Sequence, residues 1–243
     1  MKVKYLGKKN SSKILNYSPS LLDSVKRLQR PSSNYYGIDY WNAYEFSYLN
    51  KSSQQKLETL EIQIPADSKI TVESKSLKIY LASFYKKKFK ASINPRQLIA
   101  KDLSKLLQSK ILVRKKNFYE AAPKALLLNR SVAMVPRNKI IKYEGFRSIC
   151  PVTSQPDWAN IYIHSSSNTL DAKKIVKLLQ SFKERGDFHE ACIDSIFLSL
   201  IHDFHINDLT VCGRFLRRGG IDINPIRSTK KKIFFNNFRD FNQ

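Results

Sequence analysis

The stretch Asp171-Ala-Lys-Lys-Ile175-Val176-Lys-Leu-Leu179-Gln-Ser181-Phe182-Lys183, followed by Glu190-Ala-Cys192-Ile193-Asp-Ser-Ile196-Phe197-Leu-Ser-Leu200-Ile201-His-Asp-Phe204, decides the fold. In its first part Ile175, Val176, Leu179 and Phe182 recur at steps of three and four, the spacing of one helix face, which predicts a helix over Asp171–Lys183. In its second part Ile193, Ile196, Phe197, Leu200, Ile201 and Phe204 do the same and predict a helix over Glu190–Phe204. Asn160–Ile163 before the pair reads as a strand. Leu209, Val211, Gly213 and Phe215 after it alternate with the period of two of another strand.

The first half of the chain has the same order. Gly37–Leu49 carries Tyr40, Trp41, Tyr44, Phe46 and Tyr48, a composition that favours a strand. Such an aromatic stripe either fills a core or stacks bases, and a core is the commoner use. Lys51–Gln55 reads as a turn, and Leu60, Ile62 and Ile64 then alternate with Glu61 and Gln63. Leu77, Tyr80, Leu81 and Phe84 have helical spacing, so Val72, Glu73, Ser74 and Lys75 fall at a helix start. There they either cap the free N–H groups or bind an anion. A second helix is predicted over Pro95–Leu107, and strands at Lys110–Val113 and Ala125–Leu128. Ser83-Phe84 and Ser181-Phe182 stand at matching points of the two halves. The expectation is an α+β fold made of a duplicated unit, two helices on one face of an antiparallel sheet. Residues 1–34 read as a polar arm with a short helix at Ser20–Leu28, residues 35–140 as the first module, and residues 141–243 as the second module with its tail. Asn129–Ile149, with Pro136 and Gly145, reads as the stretch holding the connection between halves.

Composition sets further bounds. There is no run of 18 apolar residues, so no membrane span is expected. The opening Met1-Lys-Val-Lys-Tyr-Leu-Gly-Lys-Lys lacks the apolar core of a secretory signal. Three widely spaced cysteines, Cys150, Cys192 and Cys212, make neither a disulfide framework nor a paired-cysteine metal site, and fit a reducing, cytoplasmic setting. The net charge of +23 invites a nucleic-acid reading. The lysines are scattered rather than gathered in a stripe, and the abundant Lys, Asn, Ile, Phe and Tyr all have A/T-rich codons, so direct nucleic-acid binding is not expected. No GxGxxG, GxxxxGK[ST] or HExxH motif occurs, and seven glycines argue against a Rossmann dinucleotide fold.

Four stretches can carry chemistry. Cys150-Pro-Val-Thr-Ser154-Gln-Pro-Asp157-Trp158 sets a thiol seven residues before a carboxylate. The thiol is a nucleophile if a cation, dipole or base is near, with Arg147 the nearest cation in sequence, and otherwise a buried structural cysteine. Asp157 beside Trp158 is either a proton donor or a turn cap after Pro156. Cys192, on an apolar helix, and Cys212 read as structural. His189 and Glu190 open the last long helix, where they cap it or face a pocket; a glutamate suits an amino-pyrimidine edge because both oxygens accept. Arg217-Arg218-Gly219-Gly220 is either a phosphate clamp or a basic loop.

Taken together, Glu73-Ser-Lys-Ser76-Leu-Lys-Ile-Tyr80-Leu, Cys150 through Trp158, Ser181-Phe182 leading to Phe188-His-Glu190, and Arg217-Arg-Gly-Gly220 with Asp222-Ile-Asn-Pro225 resemble the NADPH-dependent 7-cyano-7-deazaguanine reductases, the nitrile reductases of queuosine synthesis. The similarity runs from about Gly37 to Ser228 in the order of the two-module class. It implies a tunnelling fold of two tandem modules and a homodimer. It implies a covalent thioimide on Cys150, protonation by Asp157, and two NADPH per turnover with no metal. It assigns the deazaguanine to His189 and Glu190 with Val72, Glu73 and Ser74, and NADPH to Ser74, Lys75, Arg218 and Gly219. Ser154 stands where that class usually has His, Pro151 and Val152 look like the one-module class, and Ile226 replaces an expected Trp. The chain is also shorter around Asn117–Tyr143. The rival readings are another tunnelling-fold enzyme acting on a purine or pterin, which the missing zinc ligands disfavour, and a non-catalytic RNA-binding module.

Overall fold

The computed structural model describes residues 16–27, 35–129 and 131–243. In chain order they form β1 (Ser24–Lys26), β2 (Tyr36–Leu49), β3 (Gln55–Pro65), β4 (Ile70–Val72), α1 (Ser74–Ala82), α2 (Pro95–Leu107), β5 (Leu112–Lys115), β6 (Leu126–Leu127), β7 (Met134–Val135), β8 (Ile140–Ile149), β9 (Pro156–His164), β10 (Leu170–Asp171), α3 (Ala172–Gln180), α4 (His189–His202), β11 (Thr210–Phe215) and β12 (Ile221–Ser228). The class is α+β. Two compact units divide the chain. The first takes the described part of Met1–Gln29 with Trp41–Phe118 and Arg217–Asp222; the second takes the described part of Arg30–Tyr40 with Tyr119–Leu216 and Ile223–Gln243.

In the first unit β3 lies between β2 and β5. It pairs antiparallel with β5 from Leu60 opposite Lys115 to Gln63 opposite Leu112. Leu60, Ile62 and Ile64 are fully buried, as are Leu77, Tyr80 and Phe84 of the α1 region and Ile99 and Leu103 of α2. Each such side chain contributes about 1.5–3 kcal/mol over an exposed position. The Phe84 ring meets Phe46 edge-on at 5.4 Å and Tyr80 at 5.1 Å. Glu73 caps α1, Asn94 caps α2 with Pro95 at the first turn, and Gln108 closes α2 in the left-handed conformation.

In the second unit the strand order is β12-β11-β9-β8-β6, antiparallel except for the parallel β6–β8 pair. The sheet face carrying Phe146, Ala159, Ile161, Ile163, Val211 and Phe215 packs on Ile175 and Leu179 of α3 and on Ile193, Ile196, Phe197 and Leu200 of α4. The other face carries Tyr162, Cys212 and Ile226, covered by Phe235 and Phe238 of the C-terminal segment. Asp240 anchors that segment, accepting from Asn160 Nδ2 and Tyr162 Oη at 2.7 Å and from Lys142 Nζ at 3.1 Å.

The points that match in the two halves of the sequence, Ser83-Phe84 and Ser181-Phe182, have the same local structure. Ser83 ends α1 at φ −65°, ψ −14°, and Ser181 ends α3 at φ −66°, ψ −13°. Both hydroxyls donate to the carbonyl three residues back, at 2.6 and 2.7 Å. Phe84 and Phe182, each next in sequence, are buried. Two expectations fail. Ser20–Leu28 is not a helix: Pro19–Leu21 make one 3-10 turn capped by Ser18, and β1 pairs antiparallel with β4, from Ser24 opposite Val72 to Lys26 opposite Ile70. Pairing with an available strand overrides three-four spacing in so short a segment; Leu28 lies outside the described residues, as does most of the arm. The end of Asn129–Ile149 is β8, a ten-residue strand. A bulge between Tyr143 and Phe146, with Gly145 at φ +71°, breaks its alternation and hides it from a period-two reading.

Candidate active site

Strand β8 delivers Cys150 to the head of the β8–β9 hairpin. Ile149 is opposite Pro156 and Ser148 opposite Asp157. One step further the Cys150 N–H donates to the Gln155 carbonyl at 2.8 Å, and the Ser154 N–H donates back to the Cys150 carbonyl at 3.0 Å. Ser154 makes this turn at φ +56°, a left-handed conformation uncommon outside glycine. Opposed residues and residues two apart share a face, so Ser148, Cys150 and Asp157 all project to the helix side. All three are buried. Trp158 and Arg147, opposite each other, take the outer face. Trp158 is 44% exposed, and Arg147 pairs with Glu184 at 2.9 Å. Neither expected neighbour therefore serves the site: Arg147 does not attend the thiol, and Trp158 does not cover the carboxylate.

Helix α4 begins over the same face. The loop that feeds it is stitched to β8, the Ile149 N–H donating to the Arg185 carbonyl at 2.8 Å. Phe188 is the N-cap residue and offers no side-chain bond to the helix start. His189 lies flat on Phe215, with ring centroids 4.0 Å apart and planes 13° from parallel. Its Nε2 is 3.3 Å from Asp157 Oδ2, and its Nδ1 is buried with no hydrogen-bond partner. Glu190 follows, buried. The second unit thus gathers a thiol, a carboxylate, an imidazole and a second carboxylate at one helix start, groups whose chemistry is that of a nucleophile, an acid–base pair and a hydrogen-bond acceptor. Cys192, one turn into α4, is pushed up to about 12 by burial, and Cys212 to about 11 by the same cause, as inert structural thiols are.

The rest of the predicted set lies in the first unit. Val72 ends β4, buried. Glu73 is buried, and its two oxygens accept the Lys75 and Ser76 N–H groups at 2.7 Å each, the capping alternative of the sequence reading. Ser74 and Lys75 open the helix. Gly219 and Gly220 both have positive φ, +59° and +76°. They line a small open recess with Ala43, Phe46, Leu81, Lys78 and Glu45. A Cβ on Gly219 would sit 3.2 Å from Lys78 Nζ, and one on Gly220 would sit 2.7 Å from the Glu45 carboxyl carbon. Those side-chain ends can swing aside, so it is the positive φ that favours glycine at both positions, and Lys78 supplies a cation of the kind that suits phosphates. Arg218, exposed, sits in the same turn, its N–H donating to the Ile221 carbonyl at 2.9 Å. Sequence reading missed Lys78, although it is one turn from Lys75. Among the described residues no three His, Cys, Asp or Glu side chains gather as a metal site, and no helix is long and apolar enough to cross a membrane.

Comparison with known proteins adds to this geometry. Residues 14–115 match the family described as "Nitrile reductase, 7-cyano-7-deazaguanine-reductase N-term". Residues 156–234 match "QueF-like protein". Asp157, His189, Glu190, Arg218 and Gly219 fall inside the second match and Val72–Lys75 inside the first; Cys150 falls between them. The chain is 34% identical over 259 residues to the NADPH-dependent 7-cyano-7-deazaguanine reductase of Coxiella burnetii (strain Dugway 5J108-111), covering 93% of this chain and 92% of that one. It is 33% identical over 242 residues to the protein of the same name from Hahella chejuensis (strain KCTC 2396), covering 87% and 88%.

Proposed function

The chain belongs to the NADPH-dependent 7-cyano-7-deazaguanine reductase family, and we propose that it reduces the nitrile of 7-cyano-7-deazaguanine to the 7-aminomethyl compound through a covalent thioimide on Cys150. The observation that carries this reading is the hairpin head itself, with Cys150 and Asp157 buried on one face and His189 Nε2 3.3 Å from the carboxylate.

The Cys150 sulfur bonds to the electrophilic nitrile carbon. The nitrogen gains electron density, and Asp157 gives it a proton. NADPH supplies one hydride to the thioimide carbon and, in a second round, one to the imine, each matched by a proton. Between the two reductions the C–S bond breaks and the thiol is restored. Four electrons and four hydrogens turn the C≡N group into CH₂–NH₂. Glu190, with His189, accepts the N–H groups of the deazaguanine edge. Glu73 is a support for the start of α1 as well as a candidate ligand, and Val72 and Ser74 join it in the substrate role that the resemblance assigns. This reading gives the cofactor phosphates to Ser74, Lys75, Arg218 and Gly219, with Lys78, which lines the glycine-lined recess beside Gly219.

The same reading makes the fold a tunnelling fold, its two modules residues 35–140 and 141–243. It makes the enzyme a cytoplasmic homodimer, because sheets that end in short edge strands such as β5 and β6 leave backbone groups for a partner. It puts the activity in queuosine synthesis. Substrate-dependent oxidation of NADPH tests it. Two NADPH should be consumed per aminomethyl product and none without the nitrile. Salt-sensitive RNA binding with no NADPH consumption would replace it with the binding-module reading.

A further inference from the structure

Ser148 is fully buried, and no oxygen or nitrogen atom pairs with its hydroxyl. A buried hydroxyl left unpaired is costly, about 1–3 kcal/mol, and is seldom kept without a use. Its place is specific. It stands directly opposite Asp157 in the β8–β9 ladder and two residues before Cys150, with all three on the helix side. Directly opposed Cβ atoms in such a ladder are about 5 Å apart, within reach of a rotating hydroxyl and a carboxylate. The Cys192 thiol of α4 is within its reach across the layer; burial keeps that thiol protonated, so the contact is with a weak sulfur acceptor.

We propose that Ser148 is a positioning residue for the nitrile reduction, its hydroxyl held in reserve to donate a hydrogen bond to Asp157 as that residue becomes a carboxylate. The proposal rests on Asp157 being the proton donor. The proton passes from Asp157 to the substrate nitrogen; the Ser148 O–H bond stays intact and only turns. Asp157 regains its proton from water after the step. The charge that appears on Asp157 does so at a largely buried position, so a donor already in place lowers the cost of the transfer.

The test is the rate of adduct formation on Cys150 without NADPH, followed by intact-mass spectrometry across pH, for the wild type, Ser148→Ala and Asp157→Asn, together with their thermal melts. A hydrogen bond to the charged form favours ionisation. Its loss in Ser148→Ala should make Asp157 a weaker acid, slow the adduct about tenfold and move the alkaline limb of the pH profile upward. The melting temperature should hold or rise, because an unpaired buried hydroxyl has been removed. The KM for NADPH should not change. An unchanged rate and limb in Ser148→Ala, with Asp157→Asn slowed, would overturn the proposal and leave the site reading intact. So would a slowed rate that goes with a lower melting temperature and a raised KM for NADPH, the pattern of a packing role. If Asp157→Asn forms the adduct as fast as the wild type, the proton-donor reading itself fails.

Discussion

The two units build the same hairpin and use its head for different ends. In the first unit β2 ends at Leu49, and the next residue is Asn50; the Asn50 N–H donates to the Gln54 carbonyl, and Ser53 turns the chain at φ +60°. In the second unit β8 ends at Ile149, and the next residue is Cys150; its N–H donates to the Gln155 carbonyl, and Ser154 turns the chain at φ +56°. Leu49 bridges to Lys88 and Ile149 to Gly186 in the loops that follow the first helix of each pair. At the first head the Asn50 side chain stabilises its own turn, its oxygen accepting the Ser52 and Gln54 N–H groups at 3.0 and 2.9 Å. At the second a thiol replaces that amide and is buried. The second helices diverge in the same way. Asn94 caps α2 through the Arg96 N–H at 3.0 Å, whereas α4 starts at Phe188 with no side-chain cap. In the second unit two structural asparagines are absent where a buried cysteine and an uncapped helix start are found. One scaffold thus carries two versions of the same corner, and under the proposed function the second is the chemical one.

That comparison can be broken from either side. The largest effect is expected at the chemical corner. Asp157→Asn should lower turnover by roughly 10²–10⁴-fold, the usual range for a lost general acid, with little change in stability. Steady-state NADPH oxidation checks it, and near-normal turnover would make the corner structural after all. Next is the anchor that replaces a cap for α4. Arg227, fully buried, donates from Nη1 to Asp39 at 2.6 Å and from Nε to Asp194 of α4 at 2.5 Å. Burial pushes its guanidinium down, and the two carboxylates more than offset this and raise it. Arg227→Leu leaves two acidic groups without their cation and should cost about 3–5 kcal/mol in denaturant unfolding. Asp39→Asn should cost less, since the cation keeps Asp194.

On the structural side, Asn94→Ala removes the α2 cap and should cost about 1 kcal/mol with turnover per folded molecule unchanged. A loss of turnover there would mean that the first unit's corner is not merely structural. The smallest effect concerns pH. Burial holds the His164 imidazole, stacked on Phe234, below its usual 6.5. As pH falls through 6.5 the unfolded chain takes up this proton before the folded one does. The stability tied to neutral His164 is therefore complete above 6.5 and lost progressively below it. His164→Gln should flatten the pH dependence of the melting temperature on that acid side, and an unchanged slope would remove His164 as its source.

Most of this architecture is legible from residue spacing. The four helices follow from apolar residues at three-four steps, and α2 has the predicted limits. What escaped had physical causes. Strand β8 is masked by its bulge, and β12 by polar residues, Asp222, Asn224 and Arg227, that are buried yet hydrogen-bonded or ion-paired. The candidate residue types of the site can be picked out of the sequence because thiol, carboxylate and imidazole chemistry is local to a motif. Their neighbours are not. Arg147 is near Cys150 in sequence yet on the other face, because a strand alternates. Lys78, Glu45 and Ser148 have neighbours that only folding brings near. Ile226, which departs from the family's pattern, is buried between Tyr162, Cys212 and the C-terminal phenylalanines, on the sheet face opposite α4.

The central claim is that Cys150 forms a bond to the substrate before any reduction. Intact-mass and peptide mass spectrometry of the chain incubated with 7-cyano-7-deazaguanine, NADPH withheld, tests it most directly. The account predicts a mass increase of one substrate molecule, confined to the peptide that contains Cys150, absent from Cys150→Ala and discharged when NADPH is added. No adduct, an adduct on Cys192 or Cys212, or one that survives in Cys150→Ala would contradict it.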